Sequence, residues 1–415
     1  MDINSLELAK NRTGVFKKFL QTESDKKANS DKLAFLDCGI ENSPYQKEIK
    51  NYPDCLKQKP DGLKVVSYSA ASDISASKKS GKFTRYPNIG EIPSINAQDL
   101  NFLHEDIKEA CICIGSFVDG KILGYWAGKN PAAKAQFWST TKIMPILNVV
   151  CQVNTRHPDS DLDNCSIIDA DGEQDDLRFS DVLDDIVTYA ERIATSNSLA
   201  AMFKRFETRE RLEQWVKKIT GNNDLNFTRD YGEAAFIENP QVLDILKQKV
   251  VLTAEPNSPL GDNLVSAYDL TRFISMLGWH YHVPQTSRFP GSQWHSLESV
   301  VRAMGKDSAR YTDAAIATLG LNNVISSPVI LSKLGQGFST TRQTVETVYT
   351  AFVQFVDERS KASGKPAKLR TFAMTLRGAK SLQDVDSDRA TVELDARMAA
   401  EVTEILRRVV TEELP

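Results

Sequence analysis

The sequence has no long hydrophobic run. No stretch approaches the roughly 18 consecutive apolar residues that a membrane span requires, and the start, MDINSLELAKNRTGVFKKFL, has no apolar core of a secretory signal. We therefore expect no membrane span and a cytoplasmic protein. If the numbering begins after a removed signal, the expectation changes to the periplasm or the extracellular space.

Charge of either sign is not in excess. The 415 residues include 51 basic and 55 acidic side chains, a formal net charge of −4. Because nucleic-acid surfaces concentrate positive charge, we expect no nucleic-acid partner. With 41% hydrophobic and 26% charged residues, the composition is that of a globular chain with one large core or two ordinary ones.

Cysteine patterns typical of metal sites are missing. None of the six cysteines forms a CxxC pair, and all lie in the first 165 residues. Cys111 and Cys113 share one face of a predicted strand, at a spacing too short for an unstrained disulfide. We interpret the cysteines as small, buried hydrophobic side chains.

Histidine is scarce as well. His280 and His282 alternate in GWHYHVP, and His295 follows in QWHSLES, but no carboxylate cluster accompanies them. We therefore predict neither a metal nor a cofactor. The neighbouring aromatic residues either line a groove or cover the helical region; they are Trp279, Tyr281 and Trp294.

The chain divides into a polar start and a more regular remainder. Residues 1–105 carry Lys, Ser, Asn and Asp clusters between short apolar runs, which predicts an extension or a small cap. From Ala110, two β-rich runs flank Asp119-Gly120, a dipeptide that accepts the positive φ angles of a type I′ turn. The sequence therefore predicts a β-hairpin.

Helical periodicity dominates from about 142 to 325, and β-rich runs return after Ser326, followed by a last helix. We predict an α+β fold over residues 106–415. Its mostly antiparallel sheet is built from 106–138 and 326–415 and flanked by helices, with an all-helical domain inserted at 139–325.

The chemistry is predicted at the start of the inserted region. Ser139-Thr-Thr-Lys142 places a hydroxyl and an amine three residues apart, on one face of a helix entered at Ser139. A serine hydroxyl needs a base within hydrogen-bond reach to act as a nucleophile. Burial lowers the pKa of a lysine and allows it to accept the proton, and the helix N-terminus offers N–H groups to an oxyanion.

This motif and two later ones resemble the serine β-lactamase and penicillin-binding protein (DD-peptidase-like) family. That family carries SxxK, then SxN, then KTG on a strand, in this order. The corresponding stretches here are Ser139 to Lys142, Ser196-Asn197-Ser198 and Lys333-Leu334-Gly335. The resemblance covers roughly residues 110–415, where the order of strands and helices also agrees.

The resemblance implies a role for each matched residue. Ser139 is the nucleophile and Lys142 its general base. Ser196 and Lys333 form the proton path to the leaving group. The oxyanion is bound by the backbone N–H groups of Ser139 and Gln336. The expected partner is a small-molecule or peptide-like acyl substrate.

Two positions depart from the family pattern. Ser198 stands where the family has the Asn that holds the substrate amide, and Leu334 stands where a hydroxyl helps to hold the substrate carboxylate. Both substitutions weaken β-lactam recognition more than acylation. The Gly335-Gln336-Gly337 run suits close backbone approach to a substrate.

One β-lactamase class also uses a glutamate to activate the deacylating water. Glu233 in FTRDYGEAAFIENP is the best-placed candidate, and Glu238 is the second. The alternative is a solvated loop carboxylate, in which case an acyl-enzyme persists.

The function predicted from the sequence is therefore that of a serine hydrolase acting through an acyl-enzyme on a lactam, amide or ester. Two alternatives stay open. One is an esterase or a serine-dependent glutaminase on the same fold. The other is a non-catalytic penicillin sensor or scaffold.

Overall fold

The computed structural model of the protein describes residues 3–68, 82–172, 177–256, 261–383 and 386–414. The strands in this part of the chain are β1 Val65–Val66, β2 Thr84–Arg85, β3 Ile107–Val118, β4 Lys121–Lys129, β5 Cys165–Asp169, β6 Leu177–Arg178, β7 Asn226–Phe227, β8 Pro240–Asp244, β9 Lys249–Thr253, β10 Asn263–Leu264, β11 Ile325–Ser339, β12 Thr344–Asp357 and β13 Ala367–Ser381.

The α-helices of the same residues are α1 Ile3–Leu8, α2 Arg12–Lys27, α3 Tyr52–Cys55, α4 Ile143–Arg156, α5 Phe179–Thr188, α6 Ser196–Lys204, α7 Arg209–Thr220, α8 Ala267–Gly278, α9 Trp294–Gly305, α10 Tyr311–Thr318 and α11 Ser387–Val410. None of these described helices combines the length and the apolar character needed to cross a membrane.

The predicted β-hairpin is confirmed. β3 and β4 pair antiparallel, and the turn residues Asp119 and Gly120 have φ angles of 49° and 72°. Both angles are left-handed, as a type I′ turn requires, and Asp and Gly adopt them at low cost.

The main sheet joins the two ends of residues 106–415. Its strand order is β11-β12-β13-β3-β4-β2, and β1 adds to β13. The β1 pairing is parallel, and the other pairings in this sheet are antiparallel. This arrangement confirms the predicted α+β fold. β11 is an edge strand, so the side away from β12 is open to the inserted region.

The inserted region is mainly helical but also contains strands. Within the described residues it holds a four-stranded sheet in the order β6-β5-β8-β9 and a small β10-β7 pair. The longest of these strands has five residues. Strands this short carry too few alternations for a period-two pattern to stand out from the surrounding helical pattern.

The sheet separates two hydrophobic cores. Cys111 and Cys113 face the core shared with the inserted region, whereas Ile112 and Ile114 face the core beneath α11. This alternation is the period of two that a strand imposes. Both cysteines are buried, in agreement with their interpretation as small, buried hydrophobic side chains. All six cysteines are free, but Cys38 and Cys55 are only partly buried.

The polar start of the chain packs against its end. Helix α2 lies along α11, where Arg12 donates two hydrogen bonds to the Glu401 carboxylate at 2.8 and 2.6 Å. β1 and β2 also come from this segment and extend the main sheet. Its interpretation as an extension or small cap stays a prediction.

Candidate active site

Ser139 lies in a tight 3-10 turn, Trp138–Lys142, and α4 begins only at Ile143. The sequence predicted an α-helix starting at Ser139. The turn is tighter because Trp138 adopts a positive φ of 47°, a conformation that costs a non-glycine residue about 1–3 kcal/mol. In a 3-10 turn, side chains three residues apart eclipse each other. Ser139 and Lys142 therefore share one face.

Strand β11 packs directly against this turn because two of its residues lack a side chain. A Cβ atom on Gly335 would lie 2.9 Å from Ser139 N and 3.0 Å from Phe137 O. A Cβ atom on Gly337 would lie 2.3 Å from the Trp138 ring. The glycines thus permit close approach of the turn that carries the serine, and the predicted approach of a substrate stays a prediction.

A buried ion-pair network anchors the strained turn. The Trp138 indole donates to Glu346 Oε2 at 2.9 Å. Glu346 is fully buried and accepts from Arg342 at 2.7 Å and from Arg377 at 2.8 Å. Burial of this carboxylate is tolerable because two guanidinium groups neutralise it.

Lys142 is buried beneath the serine. Its Nζ donates to Ser196 Oγ and to Asn197 Oδ1, each at 2.8 Å. Burial, with a further contribution from the positive charge of Lys333, lowers the pKa of Lys142 to about 6, and Glu233 partly opposes this shift.

The two bonds of Lys142 have a chemical consequence. A neutral amine has two N–H groups and one lone pair. In this site two N–H groups of Lys142 have acceptors, so neither bond uses the lone pair of the neutral amine. A lysine neutral near pH 7 can then accept the serine proton.

Ser196 begins α6, where the Thr195 side chain caps the helix by accepting from Ser198 N at 3.2 Å. The Ser196 hydroxyl donates to Ile186 O at 2.7 Å while it accepts from Lys142. The structure therefore brings Ser196 to Lys142. Its predicted proton path to Lys333 stays a prediction.

Lys333 is fully buried on β11, and its Nζ donates to the Tyr189 hydroxyl and to Leu334 O. Burial lowers the pKa of Lys333 to about 8, and the Asp307 carboxyl partly offsets this shift. Lys142 and Lys333 both lie close to the Tyr189 ring, with Nζ 5.4 and 3.9 Å from the ring centroid.

Tyr189 is a site residue that the sequence motifs missed. It ends α5 in the left-handed conformation, with φ 56° and ψ 31°. The Asp185 carboxylate accepts from the N–H groups of Arg192 and Ile193 at 3.0 and 2.8 Å, which fixes the loop after Tyr189. No glycine marks this helix end, so helical periodicity alone extends the helix past it.

Glu233 is exposed at the mouth of the site. Its carboxylate accepts from Asn197 Nδ2 at 3.0 Å and from the Thr195 hydroxyl. It is thus linked to Lys142 through Asn197. Glu238, the second candidate, instead pairs with Arg205 at 3.3 Å. The role of either carboxylate in deacylation stays a prediction.

A cleft of about 560 Å³ opens above Ser139. Ser139, Ser196, Glu233 and Gln336 are among the predicted residues that line it. The other segments around it contain Gln136, Trp138, Tyr189, Glu191, Thr195, Asn197, residues 229–232 and residues 262–264. Four of the predicted site residues therefore meet at one opening.

Two of the predicted substrate-binding residues have other contacts. The Leu334 side chain is buried in the core beneath α11. The Ser198 hydroxyl donates to Ala234 O at 2.9 Å. Asn197, the middle residue of the motif, instead supplies the amide that faces Lys142. Substrate binding by Leu334 and Ser198 stays a prediction.

The edge of β11 can complete an oxyanion site. Leu334 O accepts from the Tyr189 hydroxyl at 3.1 Å, so it points away from β12. Backbone groups of strand residues two apart point to the same edge. Gln336 therefore presents its N–H at the edge of β11 that faces away from β12, and its role with Ser139 N in binding an oxyanion stays a prediction.

Two of the three histidines have local hydrogen-bond partners. His282 Nε2 bonds to Leu56 O at 2.8 Å, and His295 Nε2 bonds to Ser160 O at 3.2 Å. Within the described residues, no group of three or more His, Cys, Asp or Glu side chains could hold a metal ion. Trp279 is buried in the core, whereas Tyr281 and Trp294 line a second cavity of about 470 Å³.

The fold and the site together define an α+β protein with a serine and two buried lysines at an open cleft. A scan against protein-family models and a search of curated proteins found no match. Among solved structures, the chain is similar to a β-lactamase from Desulfarculus baarsii at 16% identity and a TM-score of 0.39, covering 72% of this chain and 92% of that one.

Two further solved structures match. A β-lactamase from Streptosporangium roseum has 13% identity and a TM-score of 0.40, covering 75% of this chain and 97% of that one. A peptidoglycan synthetase from Bifidobacterium adolescentis has 13% identity and a TM-score of 0.31, covering 77% of this chain and 59% of that one.

Proposed function

We propose that this protein is a serine hydrolase that forms an acyl-enzyme on Ser139 from a carbonyl substrate. The observation that carries the proposal is the buried amine of Lys142. Both of its N–H groups are bound, its pKa is lowered to about 6, and it shares the face of Ser139. A base in this state is neutral at the pH of the cell.

The first step is attack of Ser139 Oγ on the substrate carbonyl, with its proton passing to Lys142. The negative charge that develops on the carbonyl oxygen is bound by the N–H groups of Ser139 and Gln336. Preorganised donors of this kind lower an acylation barrier by about 3–4 kcal/mol each. Water admitted by the open cleft then hydrolyses the ester on Ser139, with Glu233 as the candidate base.

Strand β11 favours an ester or amide substrate without a carboxylate. Position 334 has no hydroxyl, and its leucine side chain is buried in a core. The Lys333 amine already donates to Tyr189 and to Leu334 O. Both features weaken contact with a substrate carboxylate. Penicillin recognition depends on that contact in the family that this sequence resembles. An esterase-like substrate therefore fits this site better than a β-lactam does.

The proposal is tested by covalent labelling with a fluorophosphonate, followed by intact-mass and peptide mass spectrometry. We expect one adduct, on Ser139, and none in Ser139→Ala. The matched control is Ser166→Ala, which removes a buried serine of β5 outside the cleft and is expected to label like the wild type. Undiminished labelling of a folded Ser139→Ala variant would exclude Ser139 as the nucleophile.

A further inference from the structure

We infer that Tyr189 is a catalytic residue of this site, whose hydroxyl passes a proton from Lys333 to the group that leaves the substrate carbonyl. The inference rests on the proposed function, because a leaving group exists only if Ser139 is acylated. It assigns the acid half of the reaction to a residue outside the three sequence motifs.

The contacts of the phenol carry the inference. Tyr189 and Ser139 both line the cleft, and the Ser139 side chain partly offsets the burial that raises the pKa of the Tyr189 hydroxyl. The same oxygen accepts a hydrogen bond from Lys333 and donates to Leu334 O at 3.1 Å. A phenol has one proton and two acceptor lone pairs. It can therefore receive a proton from Lys333 while it gives up its own next to Ser139.

The resting acceptor of the Tyr189 proton is a weak one. Leu334 O is a neutral carbonyl oxygen, 3.1 Å from the phenol. A leaving oxygen or nitrogen that gains negative charge beside Ser139 is a stronger acceptor, since charge-assisted hydrogen bonds are roughly twice as strong as neutral ones. The proton is thus free to move when the carbonyl bond breaks.

Ser196 is less suited to this step. Its hydroxyl already donates to Ile186 O at 2.7 Å and accepts from Lys142 at 2.8 Å. The two buried lysines therefore serve two different hydroxyl groups. Lys142 and Ser196 form the base side of the site, and Lys333 and Tyr189 form the acid side.

The proton balance closes over one turnover. In acylation, the Ser139 proton goes to neutral Lys142, the leaving atom takes the Tyr189 proton, and Tyr189 takes one from the Lys333 ammonium, which becomes neutral. In hydrolysis, the attacking water gives a proton to Glu233, the candidate base, and the released Ser139 oxygen takes the proton held by Lys142. Glu233 then releases its proton to solvent, and Lys333 takes one up from solvent through Tyr189. Both lysines return to their initial states.

The test is the dependence on the leaving group, because only a poor leaving group needs the proton. We compare kcat/KM for p-nitrophenyl acetate and benzyl acetate in the wild type and Tyr189→Phe. The loss with benzyl acetate is expected to be about 10²–10⁴-fold, the usual contribution of a general acid. The loss with p-nitrophenyl acetate, whose anion leaves without a proton, is expected to be much smaller. A merely structural defect would slow both esters equally.

The matched control is Tyr268→Phe. Tyr268 is also a buried phenol that donates to a backbone carbonyl, Thr220 O at 2.7 Å, but it lies in α8 outside the cleft. Tyr268→Phe should change kcat/KM for both esters by the same small factor. If Tyr189→Phe does not fold, Lys333→Gln replaces it, since loss of the proton source must give the same difference between the two esters.

Two outcomes overturn the inference, and they differ. Ser139 labelling with equal losses for the two esters, or with none, rejects the role of Tyr189 and leaves the serine hydrolase intact. A wild type that neither labels on Ser139 nor cleaves either ester rejects the proposed function, and the role of Tyr189 falls with it.

Discussion

Two pairs of buried, like-charged side chains can be compared in the described part of this protein. Lys142 and Lys333, the cleft pair, lie under the cleft, where burial lowers the pKa of Lys142 to about 6 and that of Lys333 to about 8. Glu23 and Asp395, the sealed pair, lie between α2 and α11. Burial and their mutual repulsion raise the pKa of Glu23 to about 10. In both pairs the low-dielectric interior disfavours charge.

The surroundings of the two pairs differ. Asp395 accepts from the backbone N–H groups of Phe35 and Leu36 at 3.1 and 3.3 Å, and Glu23 accepts from Ala34 N at 3.0 Å. These bonds tie the polar start of the chain to α11. The lysines instead bind hydroxyl groups at an opening that contains Ser139. A perturbed pKa therefore indicates a reactive site only where a nucleophile and access for a substrate accompany it.

The largest effect should come from removing the base of the cleft pair. Lys142→Met is expected to slow fluorophosphonate labelling by about 10²–10⁴-fold, because it removes the amine that we propose accepts the Ser139 proton. Glu23→Gln, the matched change in the sealed pair, should label at the wild-type rate. Second-order labelling rates decide this, and equal rates for the two folded variants would remove the distinction between the pairs.

The pH dependence of acylation should show the titration of both Lys142 and Lys333. Below a pH of about 6, Lys142 is protonated and cannot act as a base, so the rate should fall about tenfold per pH unit. Above about 8, Lys333 loses the proton required by a poor leaving group, so benzyl acetate cleavage should fall as well. Glu23→Gln should not move either limb. A rate that keeps rising to the ordinary pKa of lysine, near 10.5, would contradict the assignment of Lys142.

The titration of Glu23 in the sealed pair should instead appear in the pH dependence of the free energy of unfolding. The pKa of Glu23 is about 10 in the folded protein and 4.5 when unperturbed, so between these values the folded state holds a proton that the unfolded state has lost. The free energy of unfolding therefore falls as pH rises through this window, by at most about 1.4 kcal/mol per pH unit. Glu23→Gln keeps the hydrogen bonds without titrating and should flatten that slope in urea unfolding at pH 6 and 8. An unchanged slope would show that another group causes it.

The smallest change in labelling is expected for Glu233→Gln. Glu233 is exposed and contacts Lys142 only through Asn197, so acylation should proceed at close to the wild-type rate. If Glu233 activates the deacylating water, steady-state turnover of p-nitrophenyl acetate should drop below the initial burst. A variant with unchanged turnover would show that Glu233 is a solvated loop carboxylate.

Much of the fold could be predicted because its signals are local. The hairpin follows from the φ preferences of Asp119 and Gly120, and the long strands and α11 follow from periodicity within one element. Ser139 and Lys142 are three residues apart, so their shared face needs only one turn of regular structure. The two later motifs could be aligned with the SxN and KTG motifs of the family by their order along the chain alone.

The partners in the site depend on the tertiary structure. Tyr189 and Lys333 are 144 positions apart, and Lys142 and Ser196 are 54 apart. Periodicity reports only which side chains share a face within one helix or strand, so it cannot pair residues across elements. The amino-acid sequence by itself determined the sheet and identified Ser139 and Lys142 as the candidate nucleophile and base. Only the packing of β11 against the turn of Ser139, and the left-handed end of α5, decided which hydroxyl group each buried lysine meets.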